Sequence, residues 1–130
     1  MQDTLSTNGY QIGTLDEIPT WDYVGSTFLE PRFGSDWKLF KESSWNSDPE
    51  ELIDDVGHWH NDSLEGFQSS FNIYLDEAIV EFRGGLEEVT LHVKPMQYVW
   101  FNQNPRFQHR AIPVLQDRRI ICFEFNHEFI

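Results

Sequence analysis

The chain has 130 residues, with 9 Lys and Arg against 22 Asp and Glu, and a formal net charge of −13. That length fits one domain able to bury a core without disulfides. The single cysteine, Cys122, excludes an intramolecular disulfide and a cysteine-based zinc site. The charge argues against binding nucleic acid or an acidic membrane through a general basic surface. Eleven Phe, five Trp and four Tyr argue against disorder.

In chain order, the stretch to about Asp16 is polar and reads as an irregular or edge segment. From Trp21 to Trp45 aromatics mix with turn signals, namely Pro31, Gly34-Ser35-Asp36 and Asn46-Ser47-Asp48-Pro49. Trp37, Leu39 and Lys41 alternate as in a strand. One helix start stands out, Ser47-Asp48-Pro49-Glu50-Glu51, with a capping residue, a first-turn Pro and acids at the positive end of the dipole. Gly57 limits that helix to one or two turns.

Beyond Gly57 the pattern is that of strands: 71–75, 79–82, 89–93, 98–101 and 119–125. Arg83-Gly84-Gly85, Lys94-Pro95, Asn102-Gln103-Asn104-Pro105 and Gln116-Asp117 separate them. Short strands so regularly punctuated predict an antiparallel sandwich or barrel with little helix. The longest apolar runs, 98–101 and 120–123, are far below the ~20 residues of a membrane span. Met1-Gln2-Asp3-Thr4 has no basic start and no apolar stretch, so no secretory signal is expected. With the lone free thiol, this favours a soluble cytoplasmic protein.

Two constellations carry chemistry. In His58-Trp59-His60-Asn61-Asp62, residues two apart share a face of an extended chain. His60 and Asp62 can then chelate one divalent metal. His58 stays open between a third ligand, a partner to a ligand and an exposed bystander. The second constellation is His109-Arg110-Ala111-Ile112-Pro113-Val114, followed by a turn, Arg118-Arg119 and an apolar strand through Phe125. His109 stands just before a strand. Two His and one carboxylate with other positions open are the ligand set of non-haem iron(II) oxygenases. A guanidinium suits the distal carboxylate of a keto diacid.

On these residues the sequence resembles the iron(II)- and 2-oxoglutarate-dependent oxygenases, close to the prolyl 4-hydroxylase type, over about Gly57 to Phe125. The resemblance implies iron ligands His60, Asp62 and His109, and a double-stranded β-helix (jelly-roll) fold. It implies residues 57–130 as the core and 1–56 as strands, loops and a short helix packed on it, all in one domain. It places 2-oxoglutarate on Arg119 and Tyr74, where Tyr74-Leu75 matches a Tyr-Leu pair of the family. The partners implied are dioxygen, 2-oxoglutarate and a peptide or small-molecule substrate, with ascorbate as an optional accessory. Asp117 replaces the Gly usual in the distal turn, which leaves Arg118 open beside Arg119. Arg119 is favoured because it shares strand parity with Ile121, Phe123 and Phe125, which would face the barrel core, and Arg118 would then be the solvated neighbour. Trp59 and Trp100 are candidates to line the substrate pocket, and His92 and His127 read as structural or surface residues.

Two other readings fit parts of the pattern. Gly57-His58-Trp59-His60 followed by Glu65 resembles the cupin metal motif, which would use His58, His60, Glu65 and His109. A non-catalytic jelly-roll module would retain the same strands without activity.

Overall fold

The computed structural model describes residues 4–47, 58–62, 68–112 and 118–126. The expected strands form, in two antiparallel sheets. They are β1 (Tyr10–Thr14), β2 (Lys38–Ser47), β3 (Ser69–Tyr74), β4 (Ala78–Arg83), β5 (Val89–Val93), β6 (Gln97–Asn102), β7 (Gln108–Ile112) and β8 (Arg118–Asn126). The major sheet has the order β1-β6-β3-β8-β2 and the minor sheet β5-β4-β7. Beyond β7 the minor sheet continues through a bridge between His60 and His109, with reciprocal backbone hydrogen bonds of 3.0 and 2.9 Å. The chain passes back and forth between the sheets as a jelly roll, the fold expected. Strands from both sides of residue 57 build the major sheet, since β1 pairs with β6 and β2 with β8. His109 lies within β7 rather than ahead of it.

Helix appears where the sequence suggested turns. Besides α1 (Thr4–Asn8), α2 (Trp21–Val24), a π-helical segment (Gly25–Leu29) and α3 (Glu30–Phe33) follow one another without a break. Thr20 caps α2, its hydroxyl accepting from the Tyr23 N–H at 3.2 Å. Pro31 sits in the first turn of α3, where its missing N–H costs nothing. Gly25 is needed for space, because the Trp37 ring lies where a side chain would project. The proposed helix start at 47–51 falls largely outside the described residues, and Ser47 itself ends β2. Among the described residues no helix is long and apolar enough to cross a membrane.

These helices change how β8 must be read. Leu5, Val24, Leu29 and Phe33 pack on Phe71, Ile73, Tyr98, Trp100, Phe123 and Phe125, the outer face of the major sheet. Phe28 sits among them, 4.9 Å from the Phe71 ring and 5.1 Å from Tyr98. The inner face carries Tyr74, Val99, Phe101 and Ile120, which meet Ala78, Val80, Phe82 and Val93 of the minor sheet. The central strands of the major sheet, β6, β3 and β8, are therefore buried on both faces. Each fully buried Phe contributes about 1.5–3 kcal/mol of transfer free energy, so both layers are energetically substantial.

β2 is also irregular. Its register with β8 shifts between Leu39 and Lys41, so Leu39 pairs with Phe125 and Lys41 with Glu124. The extra residue, Phe40, is exposed. A bulge reverses facing along a strand. Leu39 thus packs on the outer core while Lys41 lines the inner cavity. The alternation of Leu39 with Lys41 expected from the sequence is broken for this reason.

Candidate metal centre

His60, Asp62 and His109 converge, each offering one ligand atom within 4.8 Å of the others. His109 Nε2 lies 3.5 Å from Asp62 Oδ2, and His60 Nε2 lies 4.0 Å from Asp62 Oδ1. The two imidazoles meet edge-on with centroids 4.4 Å apart. The triad joins two chain segments through the His60–His109 bridge.

Local contacts fix each member. His60 Nδ1 is 2.7 Å from the His58 carbonyl. A carbonyl only accepts, so Nδ1 carries the proton and Nε2 presents its lone pair to the centre. The His109 ring packs on Phe101, 4.6 Å away, and on Phe82. The Asp62 N–H donates to Gln103 Oε1 at 3.1 Å, and the buried Gln103 donates through Nε2 to Ser70 Oγ at 2.9 Å. Asn61 Nδ2 donates to the carbonyls of Asn104 and Phe107.

Electrostatics favour a carboxylate beside neutral imidazole. Burial pushes the Asp62 carboxyl up, but hydrogen bonding and charge from His109, with His60 and Gln103, outweigh it and hold the group below its usual range. Burial lowers the His109 pKa, against the pull of Asp62. Neutral imidazole and ionised carboxylate are the forms that bind a metal.

A cavity of about 420 Å³ opens on the triad. Arg118, Tyr74, Asn72, Lys41 and Glu124 supply its polar lining, with Val80, Phe101 and Ala111 as an apolar wall. Tyr74 is among the residues that line this cavity. Arg119 is not. Arg118 is 2% exposed and lines the cavity, its guanidinium 6.0 Å from the Tyr74 ring centroid. The Arg119 side chain is 61% exposed and paired with Asp76, Nε to Oδ2 at 2.8 Å. The parity argument grouped Arg119 correctly with Ile121, Phe123 and Phe125, but those residues face the helices, not the barrel interior. Arg119 lies at the strand end, where it reaches solvent. Burial lowers the Arg118 pKa and the nearby Tyr74 opposes it, while burial raises that of Tyr74.

The other sequence candidates fall elsewhere. His58 is exposed and does not complete the cluster. Glu65 and His127 lie outside the described residues. His92 is exposed on β5. Trp100 is buried on the outer face of the major sheet, 6.2 Å from Phe33, and Trp59 lies over Arg83 and Arg110 of the minor sheet. Neither lines the cavity. Gln103 was missed, since a Gln in a turn-rich stretch carries no sequence signal for holding a ligand.

No family model and no curated protein matches this chain. Solved structures do. A Pseudomonas putida prolyl-4-hydroxylase superposes with a TM-score of 0.63 at 12% identity, over 96% of this chain and 91% of that one. EvdMO1 matches with a TM-score of 0.58 at 18% identity, over 85% of this chain and 31% of its own. For a structure of prolyl 4-hydroxylases from Phytophthora capsici the values are 0.55 and 16%, over 82% and 38%. The chain spans only about a third of the length of these last two. At such identities the likeness shows a shared fold.

Proposed function

We propose that the protein is a non-haem iron(II)- and 2-oxoglutarate-dependent oxygenase that hydroxylates a peptidyl, prolyl-like or small-molecule substrate. The observation that carries this reading is the convergence of His60, Asp62 and His109 in one cavity with Arg118 and Tyr74. The donor set suits iron(II): two imidazoles and one carboxylate, with further positions open. Iron bound there would supply the activation of dioxygen that couples decarboxylation of 2-oxoglutarate to hydroxylation of a C–H bond.

The chain's own residues do the rest. His60, Asp62 and His109 hold the metal, and the His58 carbonyl and Gln103 orient two of them. Arg118 takes the distal carboxylate of 2-oxoglutarate, its planar fork matching two oxygens, and the Tyr74 hydroxyl adds a donor. Val80, Phe101 and Ala111 keep that side of the cavity dry. Arg119, engaged outside with Asp76, has no part.

Anaerobic titration with iron(II) and then 2-oxoglutarate tests the reading. The expected result is one tightly bound iron and the visible iron–keto-acid charge-transfer band, both absent in Asp62→Ala. A wild-type protein that binds no iron and gives no band would refute it. The same variant addresses the cupin reading, in which Asp62 has no role.

A further inference from the structure

His60 belongs to no regular strand. It joins the sheet by a single bridge to His109. The His58 carbonyl orients its ring, and the Asn61 side chain and the Asp62 N–H anchor the residues that follow it. Next to it, Trp59 lies against two guanidinium groups. Arg83 of β4 sits 4.3 Å from its ring centroid and Arg110 of β7 sits 4.5 Å away. Both Arg side chains are themselves held. Arg110 bonds Glu81 at 2.8 Å, and Arg83 Nε donates to Gln108 Oε1 at 2.8 Å. Arg83 and Glu81 are on β4, Arg110 and Gln108 on β7, so the grip crosses the strand pair that also carries His109. At Gly84, next to Arg83, the backbone has a φ of 100° and the Arg106 carbonyl occupies the space of a side chain. A glycine there lets the chain turn immediately after the Arg.

We propose that Trp59, clamped by Arg83 and Arg110, is a positioning residue for the metal centre. The inference rests on the metal-binding reading above. Hydrogen bonds from Asn61 and Asp62 tie the segment down after His60, and Trp59 ties it down before. A flat ring held against two cations anchored on the minor sheet limits rotation of the segment about the bridge. Because His60 is the next residue, its imidazole is delivered to the site in register with His109. Cation–π contact suits the task, since a guanidinium over indole is attracted by the ring face. A hydrophobic pocket would bury Trp59 without fixing its tilt.

The test is a Co2+ titration of the metal-free protein, read by visible ligand-field absorption, with melting temperatures of the metal-free variants alongside. Trp59→Ala should weaken binding by roughly 10- to 100-fold, the range seen when groups supporting a ligand are lost. Trp59→Phe, which keeps a ring face, should recover most of that loss. Arg83→Lys and Arg110→Lys keep the charge but lose the planar guanidinium, and each should weaken binding severalfold. Tyr23→Ala, on the helix layer across the barrel, should leave affinity unchanged. Wild-type affinity in Trp59→Ala, or in both Lys variants, would overturn the proposal. So would a loss that merely follows a lowered melting temperature and is not recovered by Phe. If wild type binds no Co2+ and matches His60→Ala, the metal-binding reading itself fails and takes this inference with it.

Discussion

Replacing Arg118 rather than Arg119 should abolish tight 2-oxoglutarate binding. Arg118 is 2% exposed, so a carboxylate paired with it is poorly screened. Truncating one partner of a buried, hydrogen-bonded charge pair costs about 2–5 kcal/mol. The guanidinium faces a cavity connected to solvent, so the lower part of that range applies, about 2–3 kcal/mol or roughly 30- to 150-fold in Kd. Arg118→Ala should show that loss in a titration of the charge-transfer band, with iron affinity unchanged. Arg118→Lys should fall between, keeping the charge but not the bidentate fork. Arg119→Ala should stay within about threefold of wild type, since only an exposed pair with Asp76 is broken. Loss of binding in Arg119→Ala with Arg118→Ala unaffected would refute the assignment.

His58→Ala should keep its iron, measured by metal analysis after anaerobic loading and desalting, whereas His109→Ala should not. Cys122 should resist iodoacetamide in the folded protein at mildly alkaline pH and react once unfolded, as burial and the neighbouring Glu124 raise its pKa well above the ordinary thiol value. The sign follows: the protonated thiol's contribution to stability is complete below the unfolded thiol's pKa and is lost as pH rises toward the folded value, which denaturant melts at increasing pH would record. Phe71→Ala, fully buried between β3 and the helices, should cost about 3–5 kcal/mol in urea unfolding.

Much of this was legible because strands with one polar face announce themselves. Alternation located β3, β4 and β5, and apolar runs between breakers located β6 and β8, each to within one or two residues at its ends, and the spacing of the two His-bearing segments pointed to the triad. Failures occurred where two demands overlay each other. β8 is apolar toward the helices and toward the barrel, so parity could sort Arg118 from Arg119 but not say which set faced inward. The helical run 21–33 hid behind Gly25 and Pro31, residues that usually break helices. Here one makes room for Trp37 and the other occupies a first turn. Thr20 with Asp22 was an available capping signal. The Trp59 clamp was invisible, because Arg83 and Arg110 come beside it only through pairing of β4 with β7.

The bulge at Phe40 bears on how this barrel can change. Up to Leu39, β2 is tied to the helix layer and any substitution disturbs the outer core. Past the bulge, Lys41, Ser43 and Ser44 line the cavity, and Glu42, Ser44 and Asn46 are exposed. That half of the strand holds its place largely by the backbone ladder to β8. Exposed side chains such as those of Glu42, Ser44 and Asn46 are therefore free to vary with little penalty to folding. Sequence change could rewrite this wall residue by residue while His60, Asp62, His109 and both cores stay as they are.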